Sequence, residues 1–102
     1  MNRYGLHGKL IATKGNREKL TEILLEASEI VKNAKGSHIY LISNDNEDEN
    51  TVWVTEVWDS KDDHDNSLEL DEVREFIKKA MPYVDGPPNK GHEFSVLGGL
   101  GI

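Results

Sequence analysis

Two hydrophobic periodicities alternate along the chain and divide it into strands and helices. Residues 4–13 alternate imperfectly with a period of two, which is typical of a half-buried strand. Between residues 20 and 34, apolar side chains recur at steps of three and four with Glu and Lys between them. This spacing predicts an amphipathic helix with Asn16 as its N-cap and Gly36 just past its end.

The second half of the chain predicts two strands, two helical segments and a last strand. Residues 37–43 and 51–58 are rich in β-branched and aromatic residues, and the acidic stretch 44–50 between them contains no apolar residue. We expect this stretch to be a hairpin tip rather than a calcium loop, because it lacks the central glycine and the distal glutamate of such a loop. A short helix is predicted over 61–66, a longer helix over 68–81 and a strand over 93–97. The longer helix is stopped by Pro82, Gly86, Pro87 and Pro88.

The predicted order β-α-β-β-α-β is that of a ferredoxin-like α+β fold, in which helices cover one face of an antiparallel sheet. The third strand, however, carries large apolar side chains on both faces. Val52, Val54 and Trp58 share one face, and Trp53 and Val57 share the other. Because two helices cover only one face, we predict that a second copy covers the other, in a homodimer built sheet against sheet.

Size and composition agree with a single domain spanning residues 1–102, with a flexible tail over 98–102. The formal charge of −7, from 19 acidic and 12 basic residues, argues against nucleic acid and membrane partners. The absence of cysteine excludes disulfides, thiolate catalysis and cysteine-based metal sites. Without a presequence or a long apolar run, the chain is predicted to be cytoplasmic.

Motifs in the second half resemble those of the antibiotic biosynthesis monooxygenase (ABM) family. They are residues 55–61 (TEVWDSK), 64–68 (HDNSL) and 96–99 (VLGG). The resemblance is greatest to a quinol monooxygenase-like subgroup. It implies a dimeric α/β barrel with antiparallel sheets and one pocket per subunit, between sheet and helices. It also implies the oxidation of a small aromatic quinol or phenol by molecular oxygen, with no cofactor.

The resemblance argues against haem degradation. Relatives that degrade haem use an Asn on the first strand, the Trp, and a His on the last helix. Here Gly8 takes the first-strand position, and Met81 and Tyr83 stand at the end of the last helix. An oxygenase that recruits haem or flavin stays an open alternative, which would give a coloured protein.

His64 and Trp58 are the candidate catalytic residues under this resemblance. The imidazole of His64, flanked by Asp63 and Asp65, can accept a phenolic proton at neutral pH. Trp58 ends the third strand, where it can stack on a flat substrate and donate its indole N–H. The structural alternatives are a solvated histidine beside a short acidic helix and a tryptophan of the core.

Four further residues are candidates for substrate binding. Asn66 and Ser67 could orient a substrate hydroxyl or cap a helix. Tyr40 and Tyr83 could line the pocket or simply pack in the core, and the sequence leaves both alternatives open.

The remaining polar residues are given structural roles. Glu56 shares a strand face with Trp58, and we expect it to pair with a base from the partner subunit or from the last helix, such as Arg74. No metal site is predicted, because the other histidines lie on three strands without the spacing of metal ligands: His7, His38 and His92.

Two functions from different classes remain open. The first is a monooxygenase that acts on an aromatic quinol or phenol. The alternative is a non-catalytic, dimeric ligand-binding or scaffold module of the same fold. The fold hosts both uses, so the pocket has to separate them.

Overall fold

The computed structural model describes residues 2–87 and 89–102. Met1 and Pro88 lie outside the described residues, and so does the predicted role of Pro88 as a helix stop. The elements are β1 (Arg3–Ile11), α1 (Arg17–Val31), β2 (Ser37–Asn44), β3 (Thr51–Trp58), α2 (Lys61–Ser67), α3 (Asp71–Ala80), a 3-10 turn (Met81–Tyr83) and β4 (Asn89–Val96). This β-α-β-β-α-α-β order confirms the ferredoxin-like α+β fold.

The four strands form one antiparallel sheet in the order β2-β3-β1-β4. The central strands β1 and β3 pair from Tyr4 opposite Trp58 to Ile11 opposite Thr51. Side chains alternate between the two faces of a strand, and the face that contains Trp58 points toward the helices. The opposite face, which we call the open face, carries Trp53 and other apolar side chains.

The core fills the end of the sheet that lies nearest the β2–β3 hairpin. Its buried members come from α1, β3, α3 and the residue that follows β1: Ala12, Leu20, Ile23, Leu24, Val52 and Ala80. Each fully buried Leu, Ile or Val side chain among them contributes roughly 1.5–3 kcal/mol to the stability of the fold. The core therefore fixes α1 and α3 on the sheet and leaves space between them and its other end.

The acidic stretch forms the hairpin tip that the sequence predicts. The Asp45 carboxylate accepts hydrogen bonds from the backbone N–H groups of Glu47 (2.8 Å) and Asp48 (3.0 Å). Arg17 on α1 donates to the carbonyl oxygens of Asp45 (2.9 Å) and Asp48 (2.8 Å). These bonds satisfy the backbone of the tip and tie it to the first turn of α1.

Two elements begin three or more residues away from their predicted starts. The long helix begins at Asp71 rather than at 68, because the chain after α2 forms a turn and Leu70 is extended (φ −68°, ψ 133°). β4 begins at Asn89 rather than at 93. Its extra residues pair with β1 around a register shift, where Gly91 has a φ of +79°. A Cβ there would lie 2.1 Å from the His7 carbonyl oxygen, so only glycine fits.

No helix in residues 2–87 and 89–102 is long and apolar enough to cross a membrane.

Candidate active site

A cavity of about 400 Å³ lies between the sheet and the helices. This volume lies within the usual range for small-molecule sites. Most of its lining is aliphatic or aromatic, including Leu6, Leu10, Leu24, Val54, Phe76 and Ile77. Six side chains that carry polar nitrogen or oxygen atoms also line it: Lys9, Tyr40, Glu56, Trp58, His64 and Ser67. The cavity therefore suits a largely apolar molecule that carries a polar group.

His64 is buried at the edge of this cavity, and only 9% of the residue is exposed. Helix α2 begins at the N-cap Ser60, whose hydroxyl accepts the Asp63 N–H at 3.1 Å. One turn later, the imidazole packs against the rings of Tyr4 (5.6 Å between centroids) and Trp58 (5.8 Å, edge to face). The structure thus corrects the alternative of a solvated histidine, because the polar segment 61–67 turns this one side chain inward.

The two nitrogens of His64 have different surroundings. Nδ1 lies 2.9 Å from Oδ1 of Asp65, a carboxylate that also accepts a hydrogen bond from Lys61 (2.8 Å). The bonds from Lys61 and His64 lower the pKa of Asp65. A carboxylate at Nδ1 keeps the imidazole proton on that nitrogen, so the Nε2 lone pair is directed into the cavity. Asp63, the other predicted neighbour, lies against Gly36 instead.

Glu56 faces the cavity from β3, with only 13% of its side chain exposed. Its Oε1 accepts the indole N–H of Trp58 at 3.1 Å and lies 3.8 Å from Nε2 of His64. Burial raises the pKa of this carboxyl, and the nearby His64 and the Trp58 N–H oppose that rise. The predicted pairing with Arg74 is wrong, because Arg74 lies on the solvent side of α3 and binds Glu69.

Trp58 is completely buried and lines the cavity. Its position between sheet and helices agrees with the predicted place at the end of the third strand. The indole N–H is engaged by Glu56 inside the chain, so it holds the carboxylate rather than pointing freely at a ligand.

The four predicted binding residues divide into two groups. Tyr40 lines the cavity, and burial together with the Glu56 carboxylate raises its pKa, so its hydroxyl stays neutral. Ser67 also lines it, although its hydroxyl donates to the His64 carbonyl oxygen at 2.6 Å. Asn66 is exposed on α2, and Tyr83 packs against the core, so neither lies in the cavity lining.

The described residues contain no group of three or more His, Cys, Asp or Glu side chains that could hold a metal ion. The histidines outside the cavity have other partners. His7 stacks on Trp53 at 4.8 Å on the open face, and His38 bonds Asp59 at 2.6 Å.

Comparison with known proteins decides the family. The family model for antibiotic biosynthesis monooxygenase matches residues 3–79. A "putative antibiotic biosynthesis monooxygenase" from Chloroflexus aurantiacus is 37% identical, with 98% of each chain covered and a TM-score of 0.87. The chain belongs to the antibiotic biosynthesis monooxygenase family. The resemblance found in the sequence motifs is thereby confirmed at the level of the family.

More distant structures share the fold of this ABM chain. A protein of the same description from Nitrosomonas europaea is 15% identical, with a TM-score of 0.86 over 93% of this chain and 90% of that one. One from Caulobacter crescentus is 16% identical, with a TM-score of 0.84 over 95% and 92%. At such identities the likeness concerns the fold alone. No curated protein matches the chain.

Sequence reasoning missed three residues around the cavity of this ABM protein. Strand alternation places Glu56 on the same face as Trp58, but the sequence predicts only an ion pair with a base such as Arg74 for it. Asp65 was recognised only as one of two acidic neighbours of His64. Tyr4, whose hydroxyl donates to Glu93 at 2.8 Å, had no motif to indicate its contact with the imidazole.

Proposed function

We propose that this ABM protein is a monooxygenase that oxidises a small aromatic quinol or phenol with molecular oxygen and without a cofactor. One observation carries the proposal: a buried histidine has one nitrogen held by a carboxylate and the other directed into an apolar cavity. This is the arrangement that removes a proton from a bound hydroxyl group.

The cavity supplies the binding energy through its apolar walls. A bound aromatic ring would lie between the β1 and β3 side chains Leu6 and Val54 and the α3 side chain Phe76, all of which line the cavity. Its hydroxyl would reach Nε2 of His64, and the neutral Tyr40 hydroxyl and Ser67 are the further polar groups available to position it. Exclusion of water strengthens each of these polar contacts.

The chemistry needs one base and one molecule of oxygen. His64 takes the O–H proton of the quinol, and the resulting electron-rich anion reduces oxygen and forms a C–O bond at a ring carbon. The hydroperoxide then loses the hydrogen of that carbon as a proton, its O–O bond breaks, and water leaves. One quinol and one O2 thus give one hydroxyquinone and one water, with four electrons passing from the ring to oxygen.

Oxygen uptake with a panel of hydroquinones tests this function. We expect wild type to consume oxygen faster than the spontaneous reaction, and His64→Gln to lower kcat by about 10–1000-fold at pH 7. His38→Gln, which removes a histidine outside the cavity, should leave the rate unchanged. An unchanged rate in His64→Gln contradicts the base assignment. No uptake above background, together with tight binding of a hydroquinone, would favour the ligand-binding module instead.

We also propose that the protein works as a homodimer through the open face. Leu41 on β2 and Phe94 on β4 lie on that face and are 56% and 49% exposed. Trp53 of β3 lies on the same face, so apolar side chains of both outer strands and of a central strand share it. A second copy of the same face would remove these side chains from water in one step.

A further inference from the structure

We propose that Glu56 is a second catalytic residue of this pocket, which contacts the substrate hydroxyl together with His64 and shares one proton with it. The proposal rests on the proposed monooxygenase function. It adds a second proton carrier, at a residue for which the sequence predicts only an ion pair with a base such as Arg74.

The first argument is the separation of the two groups. Oε1 of Glu56 and Nε2 of His64 are 3.8 Å apart, too far for a hydrogen bond between them. A single hydroxyl oxygen, however, can lie about 2.8 Å from both atoms at once. The space between the two atoms therefore fits the hydroxyl oxygen of a quinol or phenol.

The second argument is that both groups keep an unused atom. Every buried side-chain nitrogen and oxygen of the described residues has a hydrogen-bond partner. Among those residues, no hydrogen bond engages Oε2 of Glu56 or Nε2 of His64, although both residues line the cavity. These two atoms are therefore open to the cavity, where a ligand can reach them.

The third argument is the poor charge compensation of Glu56. Tyr40 faces it from β2, Tyr4 from β1, Trp58 from its own strand and His64 from α2, and of these only His64 can become a cation. Lys9 also lines the cavity, but its ammonium group lies over the Trp53 ring on the open face.

An uncompensated buried carboxyl tends to hold a proton. Burial accordingly raises the pKa of Glu56. The carboxyl can thus hold a proton at a pH at which a solvated glutamate has already lost it, and can give that proton back.

The proposed reaction removes two protons from the quinol, and His64 and Glu56 together provide two groups that can carry them. The hydroxyl proton leaves the quinol first and is returned to the oxygen that becomes hydroperoxide. The hydrogen of the ring carbon then leaves as a second proton, while the departing oxygen needs one to become water. One residue can hold the first proton while the other accepts the second, and the electrons pass only between the ring and oxygen.

Substitution of Glu56 by Gln tests the role, because the amide oxygen still accepts the Trp58 N–H but the side chain no longer titrates. We expect kcat to fall about 10–100-fold, KM to change less than threefold, and the pH dependence of kcat to lose one limb. Glu26→Gln is the matched control, since Glu26 forms an exposed ion pair with Lys79. The double variant Glu56→Gln/His64→Gln should be no slower than the slower single variant, because the two residues act as a unit.

Infrared spectroscopy follows the carboxyl without any turnover. Wild type should show a buried, protonated carboxylic acid band that Glu56→Gln lacks and that persists to higher pH in His64→Gln. A band that titrates identically in wild type and His64→Gln would overturn the shared proton. If wild type and Glu56→Gln oxidise the substrate at the same rate, the catalytic role of Glu56 is overturned but the proposed function is not. No oxidation by wild type overturns the proposed function, and the catalytic role with it.

Discussion

Replacement of Trp58 by Phe isolates the bond that holds Glu56. The variant keeps an aromatic ring in a completely buried position but removes the N–H that donates to Oε1 at 3.1 Å. A hydrogen bond to a charged group contributes about 1.5–3 kcal/mol. The smaller ring leaves a void that costs on the order of 1–2 kcal/mol more. We therefore expect a loss of roughly 2.5–5 kcal/mol, which is no more than the stability of a typical domain of this size.

The loss should depend on pH, because the N–H favours the ionised form of Glu56. A carboxyl with a raised pKa stabilises the fold fully below its unfolded pKa near 4.3, and this contribution disappears as pH rises through the folded pKa. Without the N–H, the folded pKa of Glu56 rises further, so ionisation costs the variant more than wild type. The stability deficit of Trp58→Phe should thus be larger at pH 8 than at pH 5.5.

Urea denaturation at these two pH values is the assay, with Trp53→Phe as the matched control. Trp53 donates its N–H to Asp45, which lies in the exposed hairpin tip and whose pKa is lowered by that bond. Any pH dependence in the control should therefore appear only in acid, below the range measured. A deficit for Trp58→Phe under 0.5 kcal/mol, or one equal at both pH values, would refute the reasoning about the Glu56 bond.

Three further substitutions test other parts of the account. Asp65→Asn should lower kcat about tenfold or more with little effect on KM, because the amide no longer fixes the His64 tautomer; an unchanged kcat would contradict this. Leu41→Lys should weaken a dimer measured by sedimentation, whereas Leu25→Lys, on α1 and 55% exposed, should not; equal effects would argue against the open face. Gly91→Ala should lower the urea midpoint, with a loss of roughly 1–3 kcal/mol in the free energy of unfolding, because a Cβ meets a β1 carbonyl. An unchanged midpoint would contradict the account of the register shift at Gly91.

The order of elements could be predicted because most of them bury one periodic face. The stripe that contains Leu20 and Ile23 on α1 is an example, and both residues are in the core. The start of β4 could not be predicted in this way, because residues 89–92 (NKGH) have no alternation. Pairing with β1 sets that start, and Gly91 permits it through a backbone conformation that a pattern of polarity does not encode.

The candidate site could be predicted in its motif residues but not in their partners. Sequence alternation places Glu56 and Trp58 on one face, yet it does not reveal that Arg74 turns to solvent and leaves the carboxyl to His64. The same limit applies on α2, where neighbouring residues lie about 100° apart around the helix axis. Ser67 is buried against the cavity, whereas Asn66 beside it is exposed.

Oxidation of a simple hydroquinone under ¹⁸O2 tests the central claim most directly. Mass spectrometry of the product should show one ¹⁸O atom in the hydroxyquinone, formed faster with wild type than in buffer. His64→Gln and Glu56→Gln should each return the rate toward that of buffer, while His38→Gln keeps the wild-type rate. A product without ¹⁸O, or a labelled product formed equally fast by all four proteins, would contradict oxidation in this cavity.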